Sequence, residues 1–239
     1  MSVLDHLDEL RSRLVRALAG YLVAFVACWS QCDRLLSFLL RPIREHLADD
    51  GRIVFIQVTE PFIVYMKASA LCALFVAAPF VLYQLWAFVA PGLYRREKRL
   101  VVPFLLFGSL FFAAGGAFGY AVATPVAADW LIGLGRGFEA SITLRSAFTF
   151  ESRLILAMGL VFETPVLIFF LSRVGVVTPR FLLRHFRSAV LIIAVLAAVL
   201  TPTGDMLTMS IFVVPMVVLY LLGIAVAWLF EPRGGPSPP

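Results

Sequence analysis

The run Leu154–Leu171 reads LILAMGLVFETPVLIFFL and holds one ionisable residue, Glu163, near its midpoint. Arg153 precedes the run, and Arg173 follows two residues after its end. About 18 mostly apolar residues with basic flanks predict a membrane-spanning helix. A carboxyl at the centre of such a helix costs roughly 2.5–3.5 kcal/mol on insertion scales. Nothing structural recommends it, so Glu163 marks a functional site by default.

The composition agrees with a chain that lives in lipid. Of its 239 residues 61% are hydrophobic and only 15% charged, with a mean hydropathy of +0.94. A soluble domain carries about 25% charged residues. No stretch outside the apolar runs is long enough for a second globular core, so residues 1–239 read as a single transmembrane domain. Cys28, Cys32 and Cys72 fit no disulfide or metal framework and read as small packing residues. His6, His46 and His185 all lie outside the apolar runs, which argues against haem held by paired histidines in the membrane. Gly133, Gly135 and Gly137 in GLGRGF precede no Lys-Ser/Thr and follow no strand, so a flexible loop is expected there rather than a nucleotide site. No cofactor, no metal, no nucleic-acid partner and no enzyme chemistry are expected.

Six apolar segments can be drawn, at 14–31, 62–88, 100–124, 154–171, 188–200 and 206–230. This predicts an all-α membrane protein with six spans. Lys67 stands just inside the second segment, where its long side chain can snorkel. The fifth segment is short: about 13 residues give roughly 20 Å against a hydrocarbon core of about 30 Å. Either the bilayer thins there or segments five and six form a re-entrant hairpin. Pro215 is expected to kink segment six.

An even number of spans puts both termini on one side. That side takes 1–16, 89–99, 172–187 and the tail, and it receives more than half of the 20 lysines and arginines. Its loops are also the shorter ones, so both termini are expected to be cytoplasmic. Met1–Arg16 is charged and carries no small-residue cleavage site, so no cleavable signal is expected. Residues 231–239 read as a disordered tail. The longer outer stretches, 32–61 and 125–153, are read as loops. Arg41-Pro42-Ile43 and Thr59-Glu60-Pro61 in the first of them carry turn and helix-start signals, which predicts an ordered outer cap.

The N-terminus reads SVLDHLDELRSRL. Leu4, Leu7, Leu10 and Leu14 recur at helical intervals, and Ser2 with Asp5 has capping-box spacing. Residues 1–13 are therefore expected to form an amphipathic helix on the cytoplasmic face that runs into segment one. In the first inner stretch Glu97 stands alone among Arg95, Arg96, Lys98 and Arg99. It is either an acid neutralised by its neighbours or, together with Glu9, a sparse directional site for a cationic ligand. Pro165 leaves the carbonyl of Val161 without its helical partner, so a carboxyl and a broken backbone share one membrane depth. Glu163 is then satisfied by Gln84, Thr164 or another helix, or it serves as a partner contact or proton site. Asp205 opens segment six and reads as its N-cap.

In order along nearly the whole chain stand His6-Leu7-Asp8-Glu9-Leu10-Arg11, Glu60-Pro61-Phe62 with Lys67, and Gln84-Leu85-Trp86-Ala87-Phe88 through Pro91-Gly92-Leu93-Tyr94 to Glu97. Phe162-Glu163-Thr164-Pro165 and Thr201-Pro202 with Asp205 and Pro215 follow. Together these stretches resemble the TatC family, the multi-spanning subunit of the twin-arginine protein translocase. The resemblance implies a concave, glove-like wall of six helices in the bacterial inner membrane. It implies a receptor that binds twin-arginine signal peptides and assembles with single-span TatA and TatB partners into a multimeric complex, with export of folded proteins driven by the proton gradient. Carried onto this chain, Glu9 and Glu97 would read the arginine pair, with Phe88 and Arg11 supporting that face. Glu163, Gln84 and Met209 would face partner helices, and Pro42 and Asp205 would be structural or belong to the outer cap. Thr208-Met209 stands where the family often has Ser-Gln, and Tyr220-Leu221 where it often has Tyr-Glu. The rival reading, a proton-coupled small-molecule transporter with Glu163 as carrier, finds no inverted repeat and little intramembrane polarity to support it.

Overall fold

The computed structural model describes residues 3–47, 52–89, 101–135, 138, 141–201 and 205–229. They divide into two compact units, Met1–Leu160 and Val161–Pro239.

In the first unit, α1 (Val3–Trp29) is one unbroken helix, so the amphipathic start continues directly into the span. The cap follows as α2 (Cys32–Leu39), α3 (Arg41–His46) and the short strand β1 (Arg52–Val54). Next comes α4 (Glu60–Val89), whose internal Pro79 removes one backbone donor. α5 (Val101–Phe118) passes through a π-helical turn, Gly119–Ala123, into α6 (Thr124–Leu134). β2 (Ser141–Thr143) then leads into α7 (Leu144–Phe162).

α1 and α4 pack antiparallel along a seam of small side chains. Ala24 and Cys28 meet Ala73 and Ala77, which lets the two backbones approach in lipid. The Tyr21 hydroxyl donates to Ala70 O at 3.1 Å. Trp29 meets the Phe62 ring edge-on at one end of the seam, and Gly20 lies against Phe80 farther along.

The cap is ordered by its own apolar residues. Leu36, Leu39, Leu40 and Ile43 pack with Val64, Ala68 and Leu71 of α4 and with Phe148 and Ile155 of α7. The Tyr120 hydroxyl in the π-helical turn donates to Phe38 O at 2.9 Å, and the two rings stack 4.6 Å apart. Gly119 opens that turn because a Cβ there would come within 2.8 Å of Ile155 Cα. The neighbour is backbone and cannot yield.

β1 and β2 pair in parallel, Arg52 with Ser141 through Val54 with Thr143. Each strand feeds a helix, so α4 and α7 start side by side. Glu60, the first residue of α4, reinforces the pairing. Its Oε1 accepts from Arg145 N at 2.7 Å, and its Oε2 from Ile56 N at 3.0 Å and Gln57 N at 3.4 Å.

The second unit begins with the last turn of α7 and continues as α8 (Thr164–Arg173), α9 (Pro179–Arg184), α10 (Phe186–Leu200) and α11 (Met206–Leu229). α8 ends in a Schellman turn. Gly175 takes φ +79°, its N–H bonds Ser172 O, and Val176 N–H bonds Leu171 O. Gly223 of α11 lets α8 approach, since a Cβ there would lie 3.0 Å from Pro165 Cα. The Tyr220 hydroxyl donates to Leu182 O at 3.0 Å.

Among the described residues five helical stretches are long and apolar enough to cross a membrane: Leu7–Trp29, Glu60–Phe88, Leu105–Leu134, Leu144–Arg173 and Met206–Leu229. α10 is a shorter apolar helix. This is a multi-pass, all-α membrane protein. The stretch 125–153, read above as a loop, is mostly helix: α6 runs to Leu134 and α7 begins at Leu144. Counting apolar runs stops at Asp129, Arg145, Glu151 and Arg153, whereas amphipathic helix ends accommodate such residues on one face. Residues 231–239 lie outside the described residues.

Glu60→Ala should speed hydrogen exchange at the Arg145 and Ile56 amides and lower the thermal midpoint of the detergent-solubilised protein. Glu60→Gln, which keeps one acceptor oxygen, should do less of both. Unchanged exchange at Arg145 in the alanine variant would show that the strand pairing alone holds the two helix starts together.

Candidate functional site

The sequence-derived residues fall into separate groups. At one end of the first unit stand Glu9, Arg11 and Phe88. Continuing the α1–α4 register about three turns beyond Gly20–Phe80 brings Glu9 and Arg11 level with the end of α4, where Phe88 stands. Glu9 Oε1 accepts from Arg13 Nη2 at 3.4 Å, one turn along the same helix. The contact is long and engages one oxygen, and i,i+4 pairs of this sort contribute about 0.3–0.5 kcal/mol. Arg11 is exposed and Phe88 half-buried. Glu97 lies outside the described residues.

Gln84 sits on α4 and is buried, and its Oε1 finds no hydrogen-bond partner among the described residues. Glu163 lies in the second unit at the junction of α7 and α8. The helix breaks there for the reason the proline supplies, and the freed Val161 carbonyl is taken up locally. Thr164 Oγ1 donates to it at 2.6 Å. Thr164 thus serves the backbone, and Glu163 Oε1 has no hydrogen-bond partner among the described residues. Asp205 Oδ1 accepts from Thr208 N at 2.8 Å and caps α11. Thr208 is fully buried with its hydroxyl unpartnered among the described residues, and Met209 beside it is half-buried. Pro42 is buried in α3, where its carbonyl accepts from His46 Nδ1 at 2.7 Å.

Two acids acquire a place that the sequence reading did not give them. Glu60 was read as a helix-start signal and proves to bind three backbone amides. Glu151, assigned above to a loop, is 1% exposed on α7, and neither of its oxygens has a hydrogen-bond partner among the described residues. Phe148 and Ile155 flank it at i−3 and i+4 and belong to the cap core. That helical spacing is the signal that marks Glu151 as inward-facing.

A family model described as Sec-independent protein translocase protein (TatC) matches residues 5–215. The chain belongs to the TatC family. Among similar proteins, the Sec-independent protein translocase protein TatC of Koribacter versatilis (strain Ellin345) is 42% identical over 236 residues, 98% of this chain and 87% of that one. That of Campylobacter jejuni subsp. jejuni serotype O:2 is 40% identical over 230 residues, 95% and 94% of the two chains. A crystal structure of the twin-arginine translocase receptor TatC superposes with a TM-score of 0.81 at 30% identity, covering 94% of this chain and 98% of that one. A second TatC crystal structure, in DDM, gives 0.83 at 29% identity. TatC is a translocase family and not a family of enzymes, and the two solved structures share this chain's fold.

Thr164→Val should destabilise the protein by about 1–2 kcal/mol, the cost of leaving one buried carbonyl unpaired. Thr164→Ser should be close to neutral. Thermal unfolding in detergent measures both, and equal midpoints for valine and wild type would remove the hydroxyl from the account of the helix break.

Proposed function

We propose that this chain is the receptor subunit of a twin-arginine translocase in a bacterial inner membrane, with six spans forming a concave wall and both termini cytoplasmic. It binds the signal peptides of folded cargo on its cytoplasmic face and assembles with TatA- and TatB-type single-span partners for export driven by the proton gradient. The observation that carries the receptor role is the antiparallel register of α1 and α4, which sets Glu9, Arg11 and Phe88 at one end of one helix pair in a chain of the TatC family.

Recognition has two parts. A guanidinium forks onto a carboxylate through two parallel hydrogen bonds, whereas an ammonium is a compact charge that prefers its water. Exposed pairs contribute only about 0–1 kcal/mol each, so Glu9 and Glu97 select but cannot hold. The apolar stretch of the peptide supplies the holding energy at roughly 25 cal/mol per Å² buried against lipid-facing helices. At Glu9, among the described residues, the incoming arginine meets the weak 3.4 Å contact with Arg13 as the one ion pair to displace.

Glu163, Gln84 and Met209 serve the partner helices. Glu163 and Gln84 bring polar oxygens to membrane depth that are unpartnered among the described residues, and Thr208 beside Met209 adds a third. A polar group on a partner helix gains about 0.6–2 kcal/mol by meeting such an oxygen in lipid. Pro42 and Asp205 hold the cap and the start of α11 in shape.

Photocrosslinking of a twin-arginine signal peptide to membranes carrying Glu9→Ala with Glu97→Ala should lose the crosslinks seen with the wild type. Crosslinks that persist in the inserted double variant would move recognition to another face. Glu163→Ala should leave peptide crosslinking near normal and reduce crosslinks to the single-span partners several-fold. Unaltered partner crosslinks would take Glu163 out of assembly.

A further inference from the structure

A cavity of about 60 Å³ lies between the first turns of α4 and α7, walled by Gln57, Glu60, Ile63, Lys67, Arg145 and Thr149. It has room for about four oxygen-sized groups. The one acid in the wall is already engaged, because Glu60 gives both oxygens to three backbone amides. The two cations are not. Neither Lys67 nor Arg145 makes an ion pair or a side-chain hydrogen bond among the described residues. Arg145 feels the Glu60 charge without pairing to it, and two cations against one acid leave the lining net positive. The N-termini of two long helices meet beside it and add to that potential. The Gln57 amide and the Thr149 hydroxyl supply neutral hydrogen-bond groups.

The rim identifies the ligand class. Phe55, Ile56 and Val58 in the loop before α4 are exposed, Val58 by 92%, and Phe62, Ile63 and Met66 are exposed along α4 below them. At the end of the span Phe62, Ile63 and Met66 face acyl chains, and the loop residues before α4 meet the interface above them. Lys67 stands about 10 Å below Glu60 along the helix and reaches toward the cavity by snorkelling from the hydrocarbon side. An anion that carries its own apolar tails fits both halves of this surface, whereas a soluble anion fits only one.

We propose that this cavity is a phospholipid-headgroup site, in which Lys67 and Arg145 hold the lipid phosphate and the acyl chains lie against Ile63 and Met66. The binding is independent of the receptor role, since Glu9 and Phe88 do not line this cavity.

The test uses the full chain in detergent, with native mass spectrometry reading bound dioleoylphosphatidylglycerol, dioleoylglycerol and inorganic phosphate in parallel. The wild type should retain one phosphatidylglycerol. Lys67→Gln with Arg145→Gln should weaken that binding at least tenfold, and Lys67→Arg should preserve it. Dioleoylglycerol, which lacks the phosphate, should not bind in a way that depends on these two residues. Both side chains are exposed, and circular dichroism confirms that the variants fold. Independently of any variant, photoactivatable phosphatidylglycerol in wild-type membranes should label residues 55–67 or 144–149. Equal lipid retention by the double variant, equal binding of dioleoylglycerol, labelling only elsewhere, or Lys67- and Arg145-dependent binding of inorganic phosphate without the lipid would each overturn the assignment.

Discussion

The first unit depends on one carboxylate that ties together two pieces of chain 85 residues apart in sequence. A parallel strand pair cannot be closed by a tight turn, and three residues a side make a short ladder. Here the crossover is α4 followed by the α5–α6 helix. Glu60 fastens the ladder by accepting the Arg145 amide, while its other oxygen gathers the amides of the turn that leads into α4. These amides are among the orphan donors that every helix start or tight turn must satisfy, and a charged acceptor satisfies them strongly. The result fixes direction. α4 and α7 begin at the same end, so the α5–α6 helix runs the other way between them, and α1 runs opposite to α4. That alternation is what carries the N-terminal acid of α1 to the same end as the last turn of α4.

The sequence disclosed the spans wherever lipid dictates composition. It also disclosed the breaks wherever backbone chemistry is local: Pro165 after Glu163, Asp205 three residues before Thr208, Pro42 in the cap. It did not disclose the tie at Glu60, because the partner is a backbone N–H and any residue at position 145 would supply one. Nor did it disclose the first half of α7. Arg145, Glu151 and Arg153 interrupt the apolar run, yet the helix continues through them with Phe148 and Ile155 on its buried face. The π-helical turn at Gly119–Ala123 is equally silent in composition, since what requires it is the backbone of Leu154 and Ile155 on the neighbouring helix. Of the residues proposed for the receptor face, the motif picks out Glu9 and Phe88, but only the packing of α1 on α4 explains why residues so far apart in the chain share one level.

The polar inventory at membrane depth is short and unevenly satisfied. Thr164 answers the carbonyl freed by the proline, Thr124 Oγ1 donates to Gly119 O inside the π-helical turn, and Tyr21 reaches a carbonyl of α4. Backbone needs are thus served by hydroxyls close at hand. Buried side-chain oxygens without hydrogen-bond partners among the described residues stand on Ser69, Gln84, Ser109, Glu151, Glu163 and Thr208.

α10 spans 15 residues, about 22 Å of helix against a hydrocarbon core of about 30 Å. Of the two arrangements open to so short a segment, a crossing would require the bilayer beside it to dimple, at an elastic cost of fractions of a kcal/mol for each ångström of mismatch. A neighbouring protein with an equally short span makes a dimple of its own, and two dimples that merge distort less membrane than two apart. In that arrangement the short helix would exert a pull through the lipid itself, reaching farther than any side chain and favouring neighbours of matching thickness before a single atomic contact is made.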